Sequence, residues 1–150
     1  MSVVEGLSNV PLIPANAGLP RALPALEPHL QAESSSVRAA AVLALRLMNG
    51  TAEAEKRIAG ALLLDPNKSV RRAAAEALSH HSPSDVLVTA LQNALTSDPD
   101  VKVRRSLLET SSQWLSERPE LFDTLEWVGD EDERPSLRRK AHSALTAKQL

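Results

Sequence analysis

The chain has 150 residues with 17 basic and 19 acidic side chains, so its formal charge of −2 gives no global field that attracts nucleic acid or an anionic membrane. It contains no cysteine, which excludes disulfides, zinc thiolate sites and thiol chemistry. Trp114, Phe122 and Trp127 are its only aromatic residues. The core must therefore be built mainly from alanine and leucine.

The opening segment, 2–10, carries Val3, Leu7 and Val10 at spacings that favour one helical face. Val3 stands 34 residues before Val37, which begins the same pattern in a later helix. The segment is predicted to be the second helix of a half-repeat, and we favour an excerpt of a longer array over a degenerate cap. It lacks a basic region and a long apolar stretch, so we expect no secretion signal and a cytoplasmic protein.

Four helix pairs are predicted next, at about 19–48, 52–81, 84–117 and 119–148. The first helix of each pair has an aliphatic stripe on a helical period. The residues of these stripes are Leu23, Leu26 and Leu30; Ile58, Leu62 and Leu63; Leu87, Leu91 and Leu95; and Leu121, Leu125 and Val128.

The second helix of each pair carries an arginine near its start and continues with a stripe of small and aliphatic residues. These arginines are Arg38, Arg71, Arg104 and Arg138, at intervals of 33, 33 and 34 residues. The stripes contain Ala41, Ala44 and Leu45; Ala74, Ala77 and Leu78; Leu107, Thr110 and Ser111; and Ala141, Ala144 and Leu145. Such a period is typical of a helical repeat array, so we predict an all-α fold, an α-α superhelix in one domain over 1–150.

These motifs resemble the HEAT-repeat family over nearly the whole chain. In that family an aspartate in the turn within each repeat precedes a basic residue early in the second helix, and stacked repeats join these into a ladder of hydrogen bonds. The pairs that match, each six residues apart, are Asp65 and Arg71, Asp98 and Arg104, and Asp132 and Arg138. The resemblance implies a HEAT-like solenoid of about four and a half repeats. Ala32 replaces the first aspartate, so we expect the ladder to fray there.

A second basic residue recurs after the ladder arginine of three repeats. These residues are Arg72, Arg105 and Arg139, with Lys140 beside the last. Because identical positions of stacked repeats form a row on one face, the row is a candidate site for an acidic partner or for phosphates. The alternative is a solvated face where arginine serves helix propensity and solubility.

The remaining polar and aromatic features favour structural roles. Apart from Asp132, which belongs to the ladder, the acidic residues from Glu117 to Glu133 are expected to be solvated. Trp114 and Trp127 are expected to fill gaps in the core rather than to anchor a partner. His80 and His81 lie at a helix end, where positive charge is favourable, and too few ligands surround them for a metal.

No arrangement of residues suits catalysis, since the chain lacks a phosphate loop, a serine elbow and a spaced histidine–carboxylate pair. We therefore expect no enzyme activity, no cofactor and no metal. The leading hypothesis is a scaffold, alone or as part of a longer chain or complex, that binds another protein through its stacked second helices. The alternatives are nucleic-acid binding by the arginine row, and an accessory or lyase-type HEAT protein that acts on a tetrapyrrole-carrying protein.

Overall fold

A computed structural model describes residues 22–149, in which every regular element is a helix. The eight α-helices of this range are α1 Ala22–Leu30, α2 Ser35–Ala44, α3 Ala52–Leu64, α4 Lys68–Ser79, α5 Asp85–Ser97, α6 Val101–Trp114, α7 Leu121–Glu131 and α8 Pro135–Gln149, and a 3-10 turn over Leu45–Leu47 follows α2. The predicted all-α fold class, that of a HEAT-like solenoid, is confirmed. The predicted half-repeat at 2–10 lies outside the described residues.

Two compact units divide the chain, Met1–Ser82 and Pro83–Leu150. In the described part of the first unit, α1 pairs with α2 and α3 pairs with α4, while the second helices α2 and α4 contact each other. Ala41 and Leu45 at one side of this contact and Ala74 and Leu78 at the other are fully buried. Small side chains in this contact let the two helices approach closely.

The second unit repeats the arrangement, with α5 paired with α6, α7 paired with α8, and the second helices α6 and α8 in contact. The polar residues Thr110 and Ser111 of α6 are buried there, as the repeat pattern predicts for inward positions. Each hydroxyl donates to the carbonyl four residues before it, that of Ser106 or Leu107, so neither group is unsatisfied.

Side-chain caps fix where most of the second helices begin. The side chains of Ser34, Asn67 and Asp100 accept hydrogen bonds from backbone N–H groups in the first turns of α2, α4 and α6. Ser84 does the same for α5, the first helix of the third pair. At these four helices the cap residue and the apolar stripe, two independent features of the sequence, therefore indicate the same helix start.

The place predicted for Leu63 in the apolar stripe of α3 is wrong. Leu63 is 42% exposed, and the inward face of α3 consists of Ala54, Ile58 and Leu62. Consecutive helical residues differ by about 100° around the axis, so Leu63 turns to solvent when Leu62 faces the core. Within the described chain no helix has the length and apolar character needed to span a membrane.

Candidate functional site

The arginine near the start of each second helix, which we call the ladder arginine, donates hydrogen bonds to the turns within the repeats. The set of bonds around Arg104 is the most completely buried. Its Nε and Nη2 donate to the carboxylate of Asp132 at 3.0 and 3.3 Å, and its Nη1 donates to the carbonyl oxygen of Asp98 at 2.8 Å. Both charged side chains of this ion pair are nearly buried, at 6% and 2% exposed. A guanidinium satisfied in this way holds one turn against the next.

The first unit contains the same arrangement around Arg38. Its Nε and Nη2 donate to the carboxylate of Asp65 at 3.0 and 3.2 Å. Its Nη1 donates to the carbonyl oxygens of Ala32 and Glu33, at 3.0 and 2.9 Å. The bond within a repeat uses the backbone carbonyl, which Ala32 supplies as well as an aspartate does. The predicted fraying of the ladder toward the segment 2–10 lies outside the described residues and stays a prediction.

The aspartates and arginines of one repeat are thus linked through the backbone rather than through the carboxylate. Arg71 and Arg138 also donate to the carbonyl oxygen six residues earlier, that of Asp65 at 3.1 Å and that of Asp132 at 2.6 Å. Each ladder carboxylate accepts a bond from the backbone N–H two residues after it, at Asn67, Asp100 and Arg134. The charged partner of the Asp65 carboxylate is Arg38, and that of the Asp132 carboxylate is Arg104, in each case the arginine of the preceding repeat.

The predicted basic row separates into exposed and half-buried members. Arg105, Arg139 and Lys140 are exposed, whereas Arg72 in the first unit is half-buried. Arg105 and Arg139 occupy equivalent positions of α6 and α8, two helices that contact each other. The structure therefore brings the last three residues onto neighbouring helices of the second unit.

An acidic face lies on α7 and its flanking turns in the same unit. Asp123, Glu126, Asp130 and Glu131 are exposed on this helix, as expected for solvated charge. At its start, Arg118 donates to Asp85 at 2.7 Å and to Glu120 at 3.0 Å. Hydrogen bonding to Arg118 lowers the pKa of the Glu120 carboxyl, and the same contact raises the pKa of Arg118.

The two tryptophans differ in burial, although both were expected to fill the core. Trp114 is buried at 5% exposed, as predicted. Trp127 is 43% exposed, so the core role predicted for it is wrong. The exposure follows from its place on α7, where Leu125 and Val128 already occupy the inward face.

The adjacent histidines His80 and His81 also have different surroundings. His81 is buried, and its Nε2 lies 2.8 Å from the carbonyl oxygen of Leu45; because a carbonyl only accepts, Nε2 carries the proton. His80 is exposed and lies 3.4 Å from Glu76. Both histidines lie at a helix end, as predicted, but no local sequence pattern reveals the hydrogen bond from His81 to the previous repeat. No three acidic or histidine side chains of the described chain gather around a common metal position.

The helix pairs, their 33- to 34-residue period and the turn-to-turn arginine bonds define a helical-repeat protein. The family model for HEAT repeats matches the chain three times, over residues 3–79, 23–112 and 54–146. The chain belongs to the HEAT-repeat family, as the sequence motifs predicted. A search among curated proteins found no match. Proteins built from these repeats generally serve as scaffolds for protein interaction.

Proposed function

We propose that this chain is a non-catalytic scaffold that binds another protein through its second helices, with Arg105, Arg139 and Lys140 as the contact zone. The observation that carries the proposal is that these three exposed cations have no hydrogen-bond or ion-pair partner within residues 22–149. Arg38 and Arg104, by contrast, are committed to the turns. Arg105, Arg139 and Lys140 are thus available to another molecule.

Neighbouring side chains favour an acidic segment as the partner surface. Lys102 lies one turn before Arg105 on the exposed side of α6, and Ser143 lies one turn after Arg139 on α8. A guanidinium can bind a carboxylate through two parallel hydrogen bonds, which fixes orientation as well as charge. Arginine is also enriched among residues that dominate binding energy at protein interfaces. Arg72 stands at the equivalent repeat position in the first unit and stays a candidate member.

Affinity purification with quantitative mass spectrometry tests the proposal by comparing the wild type with Arg105→Glu/Arg139→Glu. We expect at least one partner to be reduced more than tenfold in the variant. The matched control is Lys68→Glu/Arg134→Glu, which makes the same charge change at two other exposed positions. Recovery of the same proteins by all three samples would remove Arg105 and Arg139 from the binding surface.

The same row could contact phosphates, so nucleic acid is the second candidate, favoured only by the juxtaposition of Arg105, Arg139 and Lys140. It predicts affinity for a short duplex that falls steeply as salt rises. Fluorescence anisotropy at low salt distinguishes the two, since a protein-binding scaffold shows no such affinity.

A role on a tetrapyrrole-carrying protein would give a change in visible absorbance when the chain is mixed with bilin. A cytoplasmic location stays a prediction.

A further inference from the structure

A cavity of about 260 Å³ opens at the turns of the second unit, and no residue of the basic row lines it. It lies between the ends of the first helices α5 and α7 and the turns that follow them. Its lining includes Thr96 and Ser97 from the end of α5, Trp127 and Glu131 from α7, and Glu133 from the next turn. We name this cavity, with its lining residues, the Trp127 pocket.

The indole of Trp127 forms the apolar wall of the Trp127 pocket. It is 43% exposed, in a chain that has only two tryptophans and buries the other. A half-exposed indole presents an apolar ring face that attracts cations through its quadrupole. The ring is therefore suited to an aliphatic side chain that ends in a positive group.

The charge of the Trp127 pocket is strongly negative. Four carboxylates line it, those of Asp98, Glu131, Asp132 and Glu133, against the single guanidinium of Arg104. That guanidinium is already bonded to Asp132 and to the Asp98 carbonyl.

Two of the four carboxylates lie at the exposed side of the pocket. Glu131 is exposed and has no polar partner among the described residues, and the Glu133 side chain is 81% exposed, with its Oε1 3.7 Å from Nη2 of Arg104. Both helices that frame the pocket end there, and a helix C-terminus carries partial negative charge. The exposed carboxylates of Glu131 and Glu133 and the two helix ends thus favour a cation at the open side of the pocket.

The size and the ligand set decide which kind of cation fits. A volume of about 260 Å³ is below the roughly 300–1,000 Å³ of typical small-molecule sites, so it suits one side chain. The described carboxylates do not converge on a metal position. An arginine or lysine side chain satisfies both conditions, because its stem lies on the indole while its head reaches the glutamates.

From this complementarity we infer that the Trp127 pocket docks an arginine or lysine side chain from a basic segment of a partner protein. Trp127 supplies the apolar and cation–π contact, and Glu131 and Glu133 bind the charged head. The inference does not depend on the basic row, since the pocket lies at the turns and has the opposite charge.

The test uses the full chain labelled with ¹⁵N at tryptophan, which gives one indole resonance from Trp114 and one from Trp127. The Trp127 resonance is identified by its absence from Trp127→Phe. A blocked hexapeptide of alternating arginine and glycine is the probe, and the glutamate–glycine analogue is the control. We expect a saturable shift of the Trp127 resonance with the basic peptide alone, and an unmoved Trp114 resonance.

A pair of matched variants separates the pocket from general charge attraction. Glu131→Gln/Glu133→Gln should weaken the peptide at least tenfold, while Glu109→Gln/Glu117→Gln, which loses the same charge on exposed positions of α6 and its end, should change affinity less than twofold. No shift with the basic peptide, or equal weakening in both variants, would overturn the inference. A Trp127 resonance that moves with protein concentration alone would also overturn it, in favour of a second copy as the occupant.

Discussion

Arg104 and Asp132 form a doubly hydrogen-bonded ion pair across 28 residues of sequence, with both side chains nearly buried. The equivalent pair in the first unit, Arg38 and Asp65, has side chains 18% and 11% exposed. A charge left unpaired by mutation costs more free energy where water cannot reach it. The two pairs therefore make the same arginine–aspartate ion pair at two different degrees of burial.

Asp132→Asn is expected to lower the free energy of unfolding by about 3–5 kcal/mol, because the buried Arg104 guanidinium keeps only the exposed Glu133 carboxylate, 3.7 Å away, as a charged partner. Asp65→Asn should cost about 1 kcal/mol, since water can solvate Arg38. Asparagine keeps the oxygen that caps the following turn in both variants. Urea denaturation followed by circular dichroism checks the order of the two values, and equal losses would contradict it.

The repeat period could be predicted from the sequence because the buried positions of each helix are filled by alanine and leucine, which therefore recur at a regular interval. The described second helices follow this interval. The ladder's connectivity could not be predicted. Arg38 precedes Asp65 by 27 residues, which is the repeat period of 33 less the six residues between Asp65 and Arg71. The sequence is therefore compatible with an aspartate bonded to the arginine of its own repeat or to that of the preceding repeat, and only the direction of the side chains decides between them. Local spacing gives the positions of charges but not which repeat satisfies them.

The candidate site, like the ladder, could be predicted from the sequence only in part. Exposure of Arg105 and Arg139 follows from the helical period, since neither lies on the inward face. The Trp127 pocket was missed because tryptophan in a chain with few aromatics favours a core position, whereas leucine and valine already fill the inward face of α7. Its carboxylates come together only through the pairing of consecutive turns, which sequence spacing does not show.

His81 is expected to stabilise the first unit through its bond to the Leu45 carbonyl. His81→Leu removes this bond, while the Leu45 carbonyl still accepts from the Met48 N–H at 3.1 Å, and should cost about 1 kcal/mol of unfolding free energy. His81→Gln can still donate and should recover part of the loss. His80→Leu is the control, because this neighbour is exposed. Thermal unfolding that shows equal losses for the two leucine variants would refute the role given to His81.

Gly60 and Gly50 should respond oppositely to alanine. Gly60 lies within α3, where a Cβ would have open space, so Gly60→Ala should stabilise by about 0.5–1 kcal/mol through helix propensity. Gly50 has a φ of 85°, which strains any residue with a Cβ, so Gly50→Ala should destabilise by about 1 kcal/mol. Chemical denaturation midpoints measure both, and a shift of the same sign would be inconsistent with these backbone conformations.

The contact between Arg118 and Glu120 predicts a pH effect of defined sign. Because the folded state lowers the pKa of the Glu120 carboxyl, the contact adds stability above the pKa of the unfolded state. That stability is lost as the pH falls through the folded-state pKa.

Carbon-13 NMR titration of the Glu120 carboxyl measures this pKa directly. Arg118→Gln should raise it toward the ordinary glutamate value, since the principal hydrogen-bond donor is gone. Arg134→Gln removes a cation elsewhere in the unit and should leave it unchanged. A Glu120 pKa that is the same in wild type and Arg118→Gln would exclude the proposed cause.

The central claim, that a partner protein rests on the second helices of the second unit, is tested most directly by site-specific photo-crosslinking. A benzophenone amino acid replaces Lys102 or Ser143, exposed positions one turn from Arg105 and Arg139, and Leu64 or Val86, exposed positions of first helices. We predict adducts with the same protein at 102 and 143 and none at 64 and 86. Adducts at 64 or 86 as abundant as those at 102 and 143, or none at the latter two, would contradict the proposed binding face.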